Sequence, residues 1–401
     1  MNDLRARIAE IVARDRARLS RSETGGEGDA RGGSTEGPRA AGDPIAAQRW
    51  GARRKEGFGA AAEGVDTTSS SEPPFEVREQ RIAVDDLGLE VVGRGAADPL
   101  LLAHLGLKGE PPSRWEDVLF LDTETTGLAG GTGTYVFLIG VAHIHEGELV
   151  LRQHLLRDLG AESAFVEHLK VELEPFRACA SYNGKTFDLP LLRTRFIMAL
   201  RSELTVDESH LDLLHPARRL WKDRFGSTTL RQLEESVLDD ARVPDIAGMF
   251  IPDAYFHYLR KREESIIRPV LEHNARDVIS LVRIADRVAS AVREARAGRA
   301  PAHAPAAFAL ARGFERTGEL DAAFACYESA YYDGDNQLRV KVALPYARAL
   351  ERRGEVVRVV RMLETLLDLG LGTERWRDQA EARIRRLTRR KSWQVALATA
   401  T

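Results

Sequence analysis

The stretch FLDTETTGLAGGTGTYVFLIG, Phe120–Gly140, sets Asp122 and Glu124 at the end of an apolar run, with a glycine-rich turn just behind them. Val118–Asp122 (VLFLD) reads as a buried strand, because the apolar residues run on without a break up to a turn signal. Residues two apart on a strand share a face, so both carboxylates project the same way. They stand at the C-terminal end of that strand, where α/β sheets carry their ligand sites. A carboxylate in such surroundings is costly unless it meets hydrogen-bond donors or a cation.

Working outward, Tyr135–Ile144 (YVFLIGVAHI) and Glu148–Leu156 (ELVLRQHLL) read as two further strands joined by the hairpin signal HEGE. The loop AGGTG, residues 129–133, is most simply a connection between the first two strands, although its glycines would let backbone approach a nucleotide beside the acids. A helix is expected over Ala161–Leu173, a strand over Ala178–Asn183, a helix over Leu189–Leu200 and a short fifth strand over His210–Leu214. Helices then dominate to about residue 297. This order predicts an α/β layer fold over residues 76–297, a mixed five-stranded sheet flanked by helices.

A second stretch, SYNGKTFDLPLL (Ser181–Leu192), reads as strand, turn and helix with Asp188 near the turn. Asp188 fits either a site or a helix N-cap, where aspartate is favoured. The GKT within it is no phosphate loop, since Cys179 stands where that motif needs its first glycine. The third stretch is EHNARDVISLVRIADRV, a helix on which His273 and Asp277 lie one turn apart on one face. Alone, that pair is an ordinary surface hydrogen bond. Taken together, Asp122, Glu124, Asp188 and Asp277 make a hard oxygen donor set suited to Mg²⁺ or Mn²⁺. Two such ions about 4 Å apart clamp the attacking and leaving oxygens in phosphodiester cleavage, and His273 is a candidate base for the attacking water.

Ala217–Leu233 (ARRLWKDRFGSTTLRQL) concentrates Arg218, Arg219, Lys222, Arg224 and Arg231 with two aromatics. It reads either as a nucleic-acid groove or as a solvated helix whose Leu220, Trp221 and Phe225 face the core. With Thr125 and Asn183, from the first and second motifs, Arg218, Arg219, Lys222 and Arg224 are the candidate nucleic-acid contacts. Ser227–Thr229 is expected to cap the helix beginning near Leu230. His210 and Asp212 are expected to bond locally rather than hold a metal.

The flanks differ in kind. Residues 1–20 suggest a short helix, and residues 21–75, rich in Gly, Ser, Ala, Arg and Glu, a disordered linker. Residues 301–390 are helical, and segments starting at Ala311 and Ala347 align at a 36-residue offset, each with a glycine (Gly318, Gly354) opening a turn. That period is close to a tetratricopeptide unit, and a closing helix is expected near Arg375–Leu387. The tyrosines Tyr327, Tyr331 and Tyr332 are expected in the repeat core. A net charge of −3 argues against a generally basic coat that binds nucleic acid without regard to site. Cys179 and Cys326, far apart, exclude a disulfide framework and a cysteine zinc site, and fit a reducing cytoplasm. Neither a signal peptide nor a membrane span is expected.

The ordered motifs LDTETTG, YNGKTFDLPLL and HNARD resemble the three exonuclease motifs of the DEDD superfamily, which has the ribonuclease H-like fold. The middle one is similar to that of family-B DNA polymerase proofreading domains, with asparagine five residues before the aspartate. TGLAGGTGTYVFLIG, DLLHPARRLW and GSTTLRQLEESVL look like YprB-type ribonuclease H-like domains, a group often paired with tetratricopeptide repeats. The likeness covers roughly residues 80–290. It implies that Asp122, Glu124, Asp188 and Asp277 are the metal-binding acids of a 3′–5′ exonuclease acting on DNA or RNA. His273 stands four residues before the last aspartate, the spacing of the branch that carries tyrosine there. Two rival readings stay open: a non-catalytic adaptor that binds nucleic acid and recruits a protein through its repeats, and a structure-specific endonuclease.

Overall fold

A computed structural model of the chain describes residues 73–127, 133–206, 209–240 and 245–389. The expected N-terminal helix, nearly all of the linker and most of the 129–133 loop lie outside these residues. The described residues divide into two compact units, one ending at Ser290 and one starting at Ala291. No helix among them is long and apolar enough to cross a membrane.

The first unit is an α/β layer built on a mixed sheet. Its strands are β1 (Phe75–Ala83), β2 (Val118–Thr125), β3 (Val136–His145), β4 (Glu148–Leu156), β5 (Ala178–Ser181) and β6 (His210–Asp212), in the spatial order β1-β4-β3-β2-β5-β6. The neighbours from β1 through β2 are antiparallel, whereas β2–β5 and β5–β6 are parallel. Strand β2 is therefore the seam between the two halves, and it ends beside the end of its parallel neighbour β5. Two acid-bearing segments are delivered to one edge in this way.

The sheet has six strands where five were expected, and the extra one is β1. Its sequence FEVREQRIA carries charge on both faces, which erases the alternation that marks a half-buried strand. Position explains the composition: β1 is an edge strand, and charges discourage further pairing there. It is held by a continuous ladder to β4 and by ion pairs of Arg78 with Glu264 (2.7 Å) and Glu79 with Arg152 (2.8 Å).

Helices cover both faces. They are α1 (Pro99–Leu105), α2 (Glu162–Leu173), α3 (Asp188–Leu200), α4 (Leu214–Phe225), α5 (Leu230–Ser236), α6 (Ile251–Lys261) and α7 (Glu264–Arg296), which runs past the unit boundary. Gly140 and Ile139 face opposite sides of β3. Asn274 and Val278 of α7 crowd Gly140, while His154, the cross-strand partner of Ile139, bonds His168 of α2. Thus α7 and α2 lie on opposite faces. The core between the sheet and its helices gathers Leu119, Leu121, Ile139, Phe165, Leu192 and Phe196, among others, all nearly inaccessible to water. Phe137 stacks on Tyr255, whose hydroxyl donates to the Leu156 carbonyl at 2.9 Å.

The second unit is all-helical: α8 (Ala304–Thr317), α9 (Leu320–Asp333), α10 (Asn336–Arg352), α11 (Val356–Asp368) and α12 (Glu374–Thr388). Gly318 and Gly354 follow α8 and α10 in left-handed conformation, φ +82° and +77°, so each opens a helical hairpin at the expected position. Tyr327, Tyr331 and Tyr332 are buried between these helices. Arg339, also buried, donates to the carbonyls of Tyr331 and Tyr332, each at 3.2 Å.

Candidate active site

The site starts at the last residues of β2. Val118–Leu121 are buried, and accessibility returns from Asp122 onward. Across β5, the chain leaves the sheet at Ser181 and turns through Asn183, which adopts a left-handed φ of +64°. Gly184 comes next, and its lack of a side chain is a requirement of space. A Cβ there would overlap Ser181 Oγ and stand 3.0 Å from Asp188 Oδ2.

Asp188 opens α3 but does not cap it. The cap position is Phe187, which makes no side-chain cap bond. Instead Asp188 Oδ1 accepts from Thr123 Oγ1 at 2.5 Å, tying the α3 carboxylate to β2 between the two strand acids. Asp277 and His273 come from the face of α7 that meets the end of β2. His273 Nε2 lies 3.6 Å from Asp277 Oδ2 and 3.9 Å from Glu124 Oε1.

The charges agree with the distances. The Asp122 carboxyl is pushed well above the usual range, first by burial and then by Asp277, Glu124 and Asp188, against the hydrogen bond from Asn274. Glu124 rises for the same reasons, burial first, then Asp277, Asp188 and Asp245. Asp188 rises through burial, opposed by its bond from Thr123. The structure thus brings Asp122, Glu124, Asp188, Asp277 and His273 to one cleft. The cleft keeps an open edge, with the Glu124, Asp277 and His273 side chains 13–16% exposed. Carboxylates that raise one another's proton affinity at an accessible edge are groups that could hold a hard divalent cation.

One member was not found in the sequence. Asp245 Oδ2 accepts from His273 Nδ1 at 2.8 Å and lies 3.4 Å from Arg276 Nη1. With Nδ1 turned to the Asp245 carboxylate, which accepts, Nε2 is the ring nitrogen that faces the acids. Asp245 stands in an irregular segment 28 residues before its partner, and its only local signal is the preceding proline. Asn274 was missed as well: it is fully buried and donates to Asp122 Oδ2 at 3.0 Å.

The candidate nucleic-acid contacts separate into two groups. Arg218, Lys222 and Arg224 are exposed on α4, while Leu214, Pro216, Ala217 and Leu220 form its buried stripe; Trp221 and Phe225 are half-buried. Burial pushes the phenol of Tyr182, in the turn after β5, up to about 12, and Arg218 is near enough to oppose that rise. Arg219 instead donates to the His215 carbonyl (3.3 Å) and the Leu105 carbonyl (3.5 Å). Thr125 Oγ1 donates to the Gly127 carbonyl at 2.9 Å, and Asn183 Oδ1 accepts from Thr186 Oγ1 at 3.0 Å. His210 and Asp212 were expected to bond locally, but their bonds run largely across to the neighbouring strand β5 and the turn after it. His210 bonds Ser181 Oγ at 2.8 Å, and Asp212 accepts from the backbone N–H of Asn183, with the N–H of Leu214 the one near neighbour. Thr229 caps α5.

A separate group, His154, His168 and Glu172, brings one ligand-type atom from each within 4.8 Å. Its facing atoms are already paired. His154 Nδ1 and His168 Nε2 share a 3.0 Å hydrogen bond, Glu172 accepts from Arg152 at 2.6 Å, and burial pushes His154 down to about 4.

Residues 119–289 match the sequence model of the RNase_H superfamily, and the mixed sheet with its flanking helices is consistent with a ribonuclease H-like fold. The chain is 34% identical over 238 residues to the uncharacterized protein YprB of Bacillus subtilis (strain 168), an alignment covering 58% of this chain and 56% of that protein. It therefore spans about half the length of that curated relative. The structure of the family B DNA polymerase from the hyperthermophilic archaeon Pyrobaculum calidifontis is similar over 61% of this chain and 30% of that chain, at 15% identity and a TM-score of 0.35.

Proposed function

We propose that the ribonuclease H-like domain is a metal-dependent nuclease that hydrolyses phosphodiester bonds of DNA or RNA as a 3′–5′ exonuclease. The observation that carries this reading is the meeting of Asp122, Glu124, Asp188 and Asp277 at the shared edge of β2 and β5, with His273 Nε2 turned toward them. The RNase_H superfamily match over the same residues supports it; the 3′–5′ direction rests on the resemblance of the three motifs.

The four carboxylates are the residues that would hold two Mg²⁺ or Mn²⁺ ions. Bound there, such ions supply positive charge for the attacking and leaving oxygens of an in-line displacement. The chain's own groups do the rest. His273 takes a proton from the attacking water at Nε2, and Asp245 keeps Nδ1 protonated and the ring in place. Thr123 fixes Asp188. Arg218, Lys222 and Arg224 on α4 offer phosphate contacts that position a strand without reading its bases. The C-terminal hairpins, with their 36-residue offset, are tetratricopeptide-like and would recruit a protein partner.

The test is incubation of purified protein with end-labelled single- and double-stranded DNA and RNA in Mg²⁺ or Mn²⁺. The expected result is stepwise shortening from the 3′ end, absent with chelator and absent in Asp188→Asn. Internal cuts would make the protein an endonuclease. Binding without hydrolysis would leave the adaptor reading.

A further inference from the structure

The residues Asp122, Gly140 and Gln153 are directly opposite one another across β2, β3 and β4. Asn274 of α7 lies over the middle of this row. A Cβ on Gly140 would overlap Asn274 Oδ1 and stand 2.9 Å from Val278 Cγ2, so only glycine lets the amide lie against the sheet.

Both amides have their orientation forced. The Leu271 carbonyl can only accept, so Gln153 must present its NH₂ group to it, and it does at 2.8 Å. The second proton of that group goes to Asn274 Oδ1 at 3.0 Å. Asn274 must then turn its own NH₂ toward β2, where Nδ2 donates to Asp122 Oδ2 at 3.0 Å and to the Asp122 carbonyl at 3.3 Å. Gln153 and Asn274 are both buried, at 2% and 0% exposure. Polarity thus passes one way, from the Leu271 carbonyl through two amides to one oxygen of Asp122.

We propose that Asn274, aimed by Gln153 across the bare Cα of Gly140, is a positioning residue that commits Asp122 Oδ2 to the protein and leaves Oδ1 as the oxygen offered to a divalent cation. This rests on the nuclease reading of the acid cleft and names what holds its first ligand in place. The competing role, a polar pin that merely seats α7 on the sheet, predicts lost stability without a change in metal affinity.

The two are separated by titrating the full-length protein with Mn²⁺, following free ion by electron paramagnetic resonance, beside thermal melting. Outer-sphere partners of metal ligands typically contribute 10–100-fold to metal affinity or activity. Asn274→Leu should therefore weaken Mn²⁺ binding about 10–100-fold. Gln153→Met should shift it the same way by less, because the Asn274 amide can then turn round. Val278→Ala loosens the same helix–sheet contact without touching the amides. It should lower the melting temperature and leave Mn²⁺ affinity unchanged. If Asn274→Leu does not fold, the double variant Gln153→Met/Asn274→Leu, which removes both polar partners together, takes its place. Wild-type Mn²⁺ affinity in the folded Asn274 variant would overturn this assignment alone, as would equal weakening in Val278→Ala. No Mn²⁺ binding by the wild type would overturn the parent reading and this one with it.

Discussion

Asp245 accepts the Nδ1 proton of His273, and Nε2 is left facing Glu124 and Asp277. That geometry gives His273 a task distinct from its neighbours' and makes the two kinds of residue separable by experiment. Removing a general base costs about 10²–10⁴-fold in turnover. His273→Ala should fall by that order with half-saturating Mn²⁺ nearly unchanged, whereas Asp277→Ala should lose turnover and ion binding together. Asp245→Asn lets an amide donate to Nδ1 and favours the wrong tautomer, so it should lower turnover in the same manner as His273→Ala. Equal activity of His273→Ala and wild type from pH 6 to 9 would make His273 structural. His273 was legible because it precedes an acid by one helical turn. Asp245 was not, since no periodicity links an irregular segment to a helix 28 residues on. Asp188 could be read two ways in sequence, because a first-turn aspartate serves caps and sites alike. Only the Thr123 bond, made across 65 residues, separates them.

At the level of elements, β2, β3 and β5 were readable because buried strands write themselves as largely apolar runs between turn signals, and β4, interrupted by Arg152, Gln153 and His154, because the hairpin signal HEGE ties it to β3. Strand β1 was not, because an edge strand laced with Glu and Arg has the composition of a surface loop. The two glycines that matter most here were also invisible in advance. Gly140 and Gly184 have ordinary φ, and their necessity comes from what folds against them, Asn274 in one case and Ser181 with Asp188 in the other. Gly184→Ala should therefore destabilise the first unit by about 1–3 kcal/mol, the usual cost of overpacking. It should also reduce nuclease activity by more than the folded fraction alone accounts for, since the added carbon crowds a carboxylate oxygen of Asp188 as well as the Ser181 side chain. Denaturant unfolding beside a specific-activity measurement checks both. A stability loss with unchanged specific activity would show that the turn has slack.

Over the whole molecule, the acid cleft links stability to pH and to divalent ions. Asp122, Glu124 and Asp188 all have proton affinities raised above those of the unfolded chain. The folded state then holds protons that the unfolded chain releases near pH 4, so the cluster's contribution is full below that pH and is lost as pH climbs through the raised values. In chelator, Asp122→Asn should accordingly melt higher than wild type near neutral pH, and the gap should close toward about pH 4. A divalent ion needs its ligands deprotonated, so the Mn²⁺-induced rise in melting temperature should grow with pH, and the stabilisation should reach about 2.7 kcal/mol at a hundredfold excess over Kd. A melting temperature indifferent to Mn²⁺ at every pH would count against the site. The most direct measurement is an anomalous difference map from crystals grown in Mn²⁺. The expected result is two peaks about 4 Å apart among Asp122, Glu124, Asp188 and Asp277. A well-ordered cleft with no peak between those carboxylates, at Mn²⁺ concentrations that support hydrolysis, would contradict it.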